Sequence, residues 1–156
     1  MHLADIIDSG SVLPSLKAQS KKQLLQELAH AASATTGIDH RTIFETLSQR
    51  EKLGSTGLGQ GIAVPHGKIR ALTRVHGLFA RLAVPVDFDS VDGQPVDLVF
   101  LLLAPEHAGA DHLKALAKIS RLLRDSEFVA KLRGTDTAEG LYAILTEPAA
   151  SASHAA

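Results

Sequence analysis

Apolar residues recur with helical spacing in the first third of the chain, and capping residues mark the helix ends. Ser20, followed three residues later by Gln23, is typical of a helix start, and Gly37 is typical of its end. Asp39 predicts a second helix, which Gly54 is placed to end. The first helix carries an apolar stripe made of Leu24, Leu25, Leu28, Ala29 and Ala32. The second is expected to bury Ile43, Phe44, Leu47 and Leu53.

Three further helices are predicted in the last third of the chain. Asp111 is expected to open the first of them. Its buried side is expected to carry Leu113, Leu116, Ala117, Ile119 and Leu123. Two shorter helices are expected near 126–133 and 137–146, where Gly134 divides them.

Apolar runs between these helices predict β-strands. Residues 96–104 read Val-Asp-Leu-Val-Phe-Leu-Leu-Leu-Ala, which is typical of a strand covered on both faces. Residues 77–84 predict a second strand, and 62–64 and 11–16 predict two shorter ones. The second strand is expected to place on one side Leu78, Ala80, Leu82 and Val84. Helices before, between and after buried strands predict an α/β domain with a central sheet flanked by helices on both faces.

Length and composition indicate one ordinary globular domain. The chain has 156 residues, of which 45% are hydrophobic and 21% charged. Only the end of the chain has low complexity, so we expect a domain over residues 1–147 and a disordered tail over 148–156. The net charge of −1 argues against nucleic acid or an anionic membrane as a partner.

The absence of cysteine and of long apolar segments excludes several classes of site and of protein. The sequence has no cysteine, which excludes disulfides, thiolate metal ligands and a cysteine nucleophile. The longest apolar run, 98–104, is too short to span a bilayer. The first residues lack a basic region followed by an apolar core, so no signal peptide is predicted and a cytoplasmic location is expected.

The candidate chemistry lies in residues 50–68, which read Arg-Glu-Lys-Leu-Gly-Ser-Thr-Gly-Leu-Gly-Gln-Gly-Ile-Ala-Val-Pro-His-Gly-Lys. Four glycines within eight residues indicate positive φ angles or the close approach of another group. Pro65 is expected to end the short strand, which would place His66 just past its carboxyl end, where α/β sheets bind ligands. His112 follows the buried strand at the start of the next helix, and Arg50 precedes the glycines.

These three side chains suit phosphoryl transfer to a histidine nitrogen. Neutral imidazole is nucleophilic near pH 7, and its unperturbed pKa is about 6.5. Arg50 could hold phosphate oxygens with two hydrogen bonds, and the N-terminal end of the helix near His112 favours an anion. On the residues alone, a strained structural turn with a surface histidine is the preferred interpretation. Arg50 then only satisfies a helix C-terminus, and His112 is only a first-turn residue.

Three other kinds of site fail on spacing. Between Gly61 and the Gly67-Lys68 pair there are five residues, whereas a phosphate-binding loop has four before its Gly-Lys. A dinucleotide-binding fingerprint runs from strand to glycines to helix, and here the glycines follow a helix. His107 and His112 are five residues apart, which does not align them for zinc. We therefore expect no metal and no cofactor.

The segment 50–68 closely resembles the signature of the IIA domains of the bacterial phosphotransferase system, of the fructose/mannitol type. Residues 95–105 and the later His-Leu-Lys-Ala-Leu that starts at His112 are also similar to that family, and the resemblance covers roughly residues 2–147. It implies a mixed central sheet. It also implies that His66 becomes a phosphohistidine through the ring nitrogen farther from the backbone, and that Arg50 and His112 steady the phosphoryl group. The implied donor is a small histidine-containing phosphocarrier protein.

Within that family the chain looks most like the nitrogen-regulatory IIA proteins, because of the stretch 13–23 and the run 50–57. This resemblance implies regulatory target proteins that are bound according to phosphorylation state. The alternative is a stand-alone sugar-specific IIA component that passes phosphate to a IIB partner. A third possibility is a binding module that no longer transfers phosphate, against which the intact set of three residues argues.

Overall fold

Residues 2–147 are the part of the chain that the structure, a computed structural model, describes. The five α-helices of this part are α1 (Lys21–Thr36), α2 (His40–Lys52), α3 (Ala110–Leu122), α4 (Ser126–Arg133) and α5 (Ala138–Thr146). Its six strands are β1 (Val12–Leu16), β2 (Gly57–Gly59), β3 (Ile62–Ala63), β4 (His66–Ile69), β5 (His76–Val86) and β6 (Val96–Pro105). The tail predicted at 148–156 lies outside the described residues.

The strands form one mixed sheet in the order β1-β5-β6-β3-β2, and β4 also pairs with β6. β5 and β6 are antiparallel neighbours at the centre, whereas β1 is parallel to β5, and β3 and β4 are parallel to β6. The prediction of an α/β domain with a mixed sheet is confirmed. β2, which pairs antiparallel with β3 at the sheet edge, was not predicted, because three residues containing two glycines carry no strand pattern.

The strand that carries His66 differs from the prediction. Ile62 lies opposite Leu98 and His66 opposite Leu102, so β3 and β4 follow β6 in one register and are interrupted only between them. Pro65 has no N–H to donate, but its carbonyl accepts a hydrogen bond from the Leu102 N–H at 3.0 Å. His66 therefore begins a second strand segment and does not lie past the carboxyl end of the sheet.

The two faces of the sheet bury separate clusters of apolar side chains. α1 and α2 cover one face, where they pack on alternate residues of β6 such as Val99 and Leu101. α3, α4 and α5 cover the other face, where they pack on Leu98 and Phe100. Every apolar residue of 96–104 is at most 1% exposed, which confirms the prediction of a strand covered on both faces.

The predicted starts of α1 and α2 are confirmed by the caps that form, whereas α3 begins at Ala110, one residue before the predicted Asp111, and has no side-chain cap. The Ser20 hydroxyl accepts a hydrogen bond from the Gln23 N–H at 3.1 Å, and the Asp39 carboxylate accepts one from the Arg41 N–H at 3.1 Å. The Gln23 side chain accepts from the Gln19 N–H at 2.6 Å and not from the capping serine. Gly37 ends α1 with a φ of 76°, a left-handed conformation that glycine adopts without strain.

Several residues expected to be buried are exposed. Leu53 is 84% exposed, because α2 ends at Lys52 and the chain turns there. Val84 is 64% exposed, near the end of the β5–β6 hairpin where the pairing shifts register. In α3, which begins at Ala110, Ile119 and Leu123 are buried as predicted, whereas Leu113 is 66% exposed and Ala117 is also exposed. The buried side of α3 carries His112, Ala115, Ile119 and Leu123.

Candidate functional site

His66 is held in one orientation by the strand that it begins. Its ring Nδ1 lies 2.9 Å from the Val64 carbonyl oxygen. Because a carbonyl only accepts, Nδ1 must carry the proton and donate it, which leaves the lone pair on Nε2. Gly67 permits this arrangement, since a Cβ at that position would lie 2.5 Å from Thr46 of α2. The local backbone thus selects the tautomer in which Nε2 is the nucleophilic nitrogen.

His112 lies beside His66 although 46 residues separate them in the chain. The two ring centroids are 5.7 Å apart with a tilt of 48°. His112 is 7% exposed, and its Nδ1 is buried without a hydrogen-bond partner among residues 2–147. A buried ring nitrogen without a partner is unusual and is well suited to a group that arrives later. The structure therefore brings together His66 and His112, two of the three side chains that the sequence suggested for phosphoryl transfer.

Arg50 joins the same site from the last turn of α2. It lines a depression of about 230 Å³ together with His66 and with Ser55, Thr56, Gly57, Leu58, Val64, Leu116 and Ser120. Its Nη1 donates a hydrogen bond to the Gly54 carbonyl at 2.9 Å, which is the helix-end contact left open in the sequence interpretation. One guanidinium group can make this contact and still present other N–H donors to the depression.

The glycine loop, which is the segment 54–61 that contains the four glycines, is anchored by hydrogen bonds of its residues to other segments. The Ser55 hydroxyl donates to the Phe88 carbonyl at 2.9 Å and accepts from the Gly57 N–H at 3.1 Å. Thr56 donates both its N–H and its hydroxyl to the Glu51 carboxylate. Sequence reasoning overlooked these residues although they stand inside the quoted motif. It also overlooked Leu116 and Ser120, which the helical spacing from His112 could have indicated.

Burial keeps both histidines neutral near pH 7. Burial lowers the pKa of His66 below its ordinary value, the hydrogen bond to Val64 and the charge of Glu51 oppose this shift, and the charge of Arg50 reinforces it. The pKa of His112 is also lowered, first by burial and then by His66 and Lys68. The lone pair on Nε2 of His66 is therefore available at neutral pH.

These lowered pKa values make a prediction for stability. In the unfolded chain both histidines return to a pKa near 6.5. As the pH falls below this value, the unfolded state therefore binds more protons than the folded state does. The two neutral histidines should contribute no loss of stability above pH 6.5. The free energy of unfolding should decrease as the pH falls below 6.5 and through the lowered pKa values of the folded protein. Urea unfolding at pH 7.5 and 5.5 would measure this decrease, which should be smaller in His66→Gln. An equal decrease in both proteins would contradict the assignment.

A second pair of histidines, His30 of α1 and His40 of α2, has ring centroids 4.0 Å apart and lies beside a depression of about 430 Å³ that Arg41 also lines. A depression of about 710 Å³ is lined by residues that include His107 and Arg74 and that include neither His66 nor His112. Within the part of the chain that the structure covers, no group of three or more histidine, aspartate or glutamate side chains is arranged to hold a metal ion. No helix in that part is long and apolar enough to cross a membrane.

Comparison with known proteins defines the class to which this fold and site belong. The family model described as "Phosphoenolpyruvate-dependent sugar phosphotransferase system, EIIA 2" matches residues 5–147. The chain belongs to this family, which confirms the resemblance seen in residues 50–68.

The relatives also distinguish a branch of the family. The chain is 57% identical over 152 residues to a nitrogen regulatory protein of Bradyrhizobium diazoefficiens, covering 97% of this chain and 99% of the relative. It is 41% identical to a nitrogen regulatory protein of Pseudomonas aeruginosa, covering 94% and 96%. The crystal structure of nitrogen regulatory protein IIA-Ntr from Neisseria meningitidis superposes with a TM-score of 0.87 at 38% identity, covering 92% and 99%. The mannitol IIA structure from Escherichia coli shares the fold, with a TM-score of 0.73 at 21% identity, covering 88% and 97%.

Proposed function

We propose that this chain is a phosphocarrier that accepts a phosphoryl group on His66 from a histidine-containing phosphocarrier protein. The observation that carries the proposal is the hydrogen bond from Nδ1 of His66 to Val64, because it leaves the Nε2 lone pair free beside the depression lined by Arg50. Membership of the EIIA 2 family supports phosphoryl transfer between proteins as the reaction.

The transfer step involves only two reacting imidazoles, the ring of His66 and the phosphorylated ring of the donor protein. The Nε2 lone pair of His66 attacks the phosphorus atom, and the bond from phosphorus to the donor imidazole breaks. The donor carries a proton on its other ring nitrogen, so it leaves with the electron pair as a neutral imidazole, and His66 keeps its own proton on Nδ1. The negative charge on the oxygens of the phosphoryl group is stabilised by Arg50 and by a hydrogen bond from an N–H group of the His112 ring. The short distance between the two histidine rings supports this role of His112. No metal is chemically required, because the leaving group is an imidazole.

We further propose that the phosphorylation state of His66 regulates the binding of target proteins. The relatives named nitrogen regulatory proteins, with identities up to 57%, support this branch. The physical basis is local: phosphate adds nearly two negative charges to a depression whose wall includes Leu58 and Leu116. A target that buries this wall should bind the unmodified form more tightly, since burial of an uncompensated charge is costly.

A labelled phosphoryl group on His66, followed in the presence of sugar, separates the regulatory function from that of a sugar-specific IIA component. The phosphorylated protein would be mixed with cell extract and fructose or mannitol. We expect the label to remain on His66 and no sugar phosphate to form. Sugar-dependent loss of the label would contradict the regulatory role and favour transfer to a IIB partner.

A capture experiment tests the signalling step independently. The unphosphorylatable variant His66→Ala should enrich a regulatory protein from extract, and the charged variant His66→Glu should lose it. Equal capture by both variants would show that the charge at this position does not control binding.

A further inference from the structure

Behind the depression, Glu51 is a buried carboxylate to which the reaction described above gives no role. Its side chain is 5% exposed, although it follows Arg50 directly at the end of α2. Oε1 accepts the Thr56 N–H at 3.1 Å and lies 3.0 Å from the Lys21 Nζ, and Oε2 accepts the Thr56 hydroxyl. Three donors thus converge on one carboxylate, which is the condition under which a buried charge is stable.

Lys21 is itself held in place by neighbouring groups. It is the first residue of α1, and its ammonium group lies 4.6 Å from the centre of the Phe88 ring and 3.7 Å from the Asp89 carboxylate. The Phe88 carbonyl accepts the Ser55 hydroxyl, which belongs to the same glycine loop. Glu51 therefore connects α1, α2, the glycine loop and the segment after β5 at a single point.

A continuous set of hydrogen bonds leads from Glu51 to the ring of His66. The Thr56 carbonyl accepts the Val64 N–H at 3.0 Å, and the Val64 carbonyl accepts the His66 Nδ1–H at 2.9 Å. Thr56 is 6% exposed and Val64 is 3% exposed, so water has little access to these bonds. Hydrogen bonds in series polarise one another and restrict one another's geometry in such surroundings.

We propose that Glu51 is a positioning residue that, through Thr56 and Val64, holds His66 in the Nδ1–H tautomer with Nε2 facing the depression. The inference rests on the proposed role of His66 as phosphoryl acceptor. Glu51 does not touch the phosphoryl group. It fixes Thr56, Thr56 fixes the carbonyl end of β3, and that carbonyl selects which nitrogen of His66 keeps its lone pair.

The variant Glu51→Gln tests this role with little change of shape. Its amide oxygen can still accept the Thr56 N–H, but the charge and one of the acceptor oxygens are lost. We expect kcat for phosphoryl transfer to fall about tenfold with KM unchanged, because a charge-assisted hydrogen bond is weakened while the docking surface is intact. The ¹⁵N spectrum of the His66 ring above pH 7.5 should show a larger share of the Nε2–H tautomer. Glu45→Gln, an exposed position on the same helix, should change neither quantity.

A second variant keeps the test decisive if Glu51→Gln fails to fold. Thr56→Val removes only the hydroxyl donor, and we expect the same direction of change in kcat and tautomer ratio. A folded variant with wild-type kcat and tautomer ratio would overturn the inference, and so would a change in KM alone. If the unsubstituted protein takes no label on His66, the proposed function fails, whereas the ¹⁵N comparison still decides the role of Glu51.

Discussion

Alanine in place of His66 is expected to abolish phosphorylation of the protein. The unsubstituted protein, incubated with a phosphorylated histidine carrier, should gain one phosphoryl group that is labile in acid and stable in base, as a phosphohistidine is. His66→Ala should gain none, because the Nε2 lone pair that the Val64 hydrogen bond leaves free is removed. Intact-mass measurement and labelling with a radioactive phosphoryl donor would report this loss.

His107→Ala is the matched control for that experiment. His107 is exposed and lines the depression of about 710 Å³, which neither His66 nor His112 lines, so its loss should leave labelling unchanged. If His66→Ala still takes the label and His112→Ala does not, the roles of the two histidines are the reverse of those proposed.

Removal of either Arg50 or His112 should slow phosphoryl transfer without preventing it. A hydrogen bond to a charged group contributes about 1.5–3 kcal/mol, so Arg50→Ala and His112→Ala should each slow transfer roughly ten- to a hundredfold. Rapid-quench measurement of label transfer from the carrier would give the rates. Transfer at the unsubstituted rate in both variants would remove these residues from the site.

The two variants are expected to differ in stability. Arg50 is partly exposed, and its side chain donates a hydrogen bond to the Gly54 carbonyl at the end of its own helix, so Arg50→Ala should fold normally. His112 is 7% exposed and packs beside His66, so its truncation leaves a small cavity as well as removing an unpaired polar atom. Arg41→Ala, an exposed position on α2, is the control for loss of an arginine and should transfer at the unsubstituted rate.

The local features of the fold follow from the sequence because they depend on residues close together in the chain. A serine or aspartate cap and a glycine stop act within one turn, which is why α1 was predicted between Ser20 and Gly37. The run 96–104 was recognised as a strand buried on both faces because its burial follows from its own composition. The motif at 50–68 likewise indicated the candidate acceptor His66 and its neighbour Arg50 without any tertiary information.

Tertiary pairing decided the features that local pattern leaves undetermined. The register of β3 and β4 along β6 comes from contacts with residues 36 positions away, so the role of the Pro65 carbonyl was not visible in the sequence. Leu113 was predicted on the buried side of α3, but the structure buries its neighbour His112 there. The sequence pattern does not decide between these two neighbours, and packing of α3 against β6 does.

The chemistry of the site divides in the same way. The sequence by itself determined which residue types are present: an imidazole at position 66, a second one at 112 and a guanidinium group at 50. Only the tertiary structure decided that the two rings lie 5.7 Å apart. It also brought Lys21 of α1 onto Glu51, 30 residues further along the chain. The physical reason is that ring proximity, burial and charge pairing depend on atoms from separate segments, which meet only when the sheet and its two helical layers are assembled.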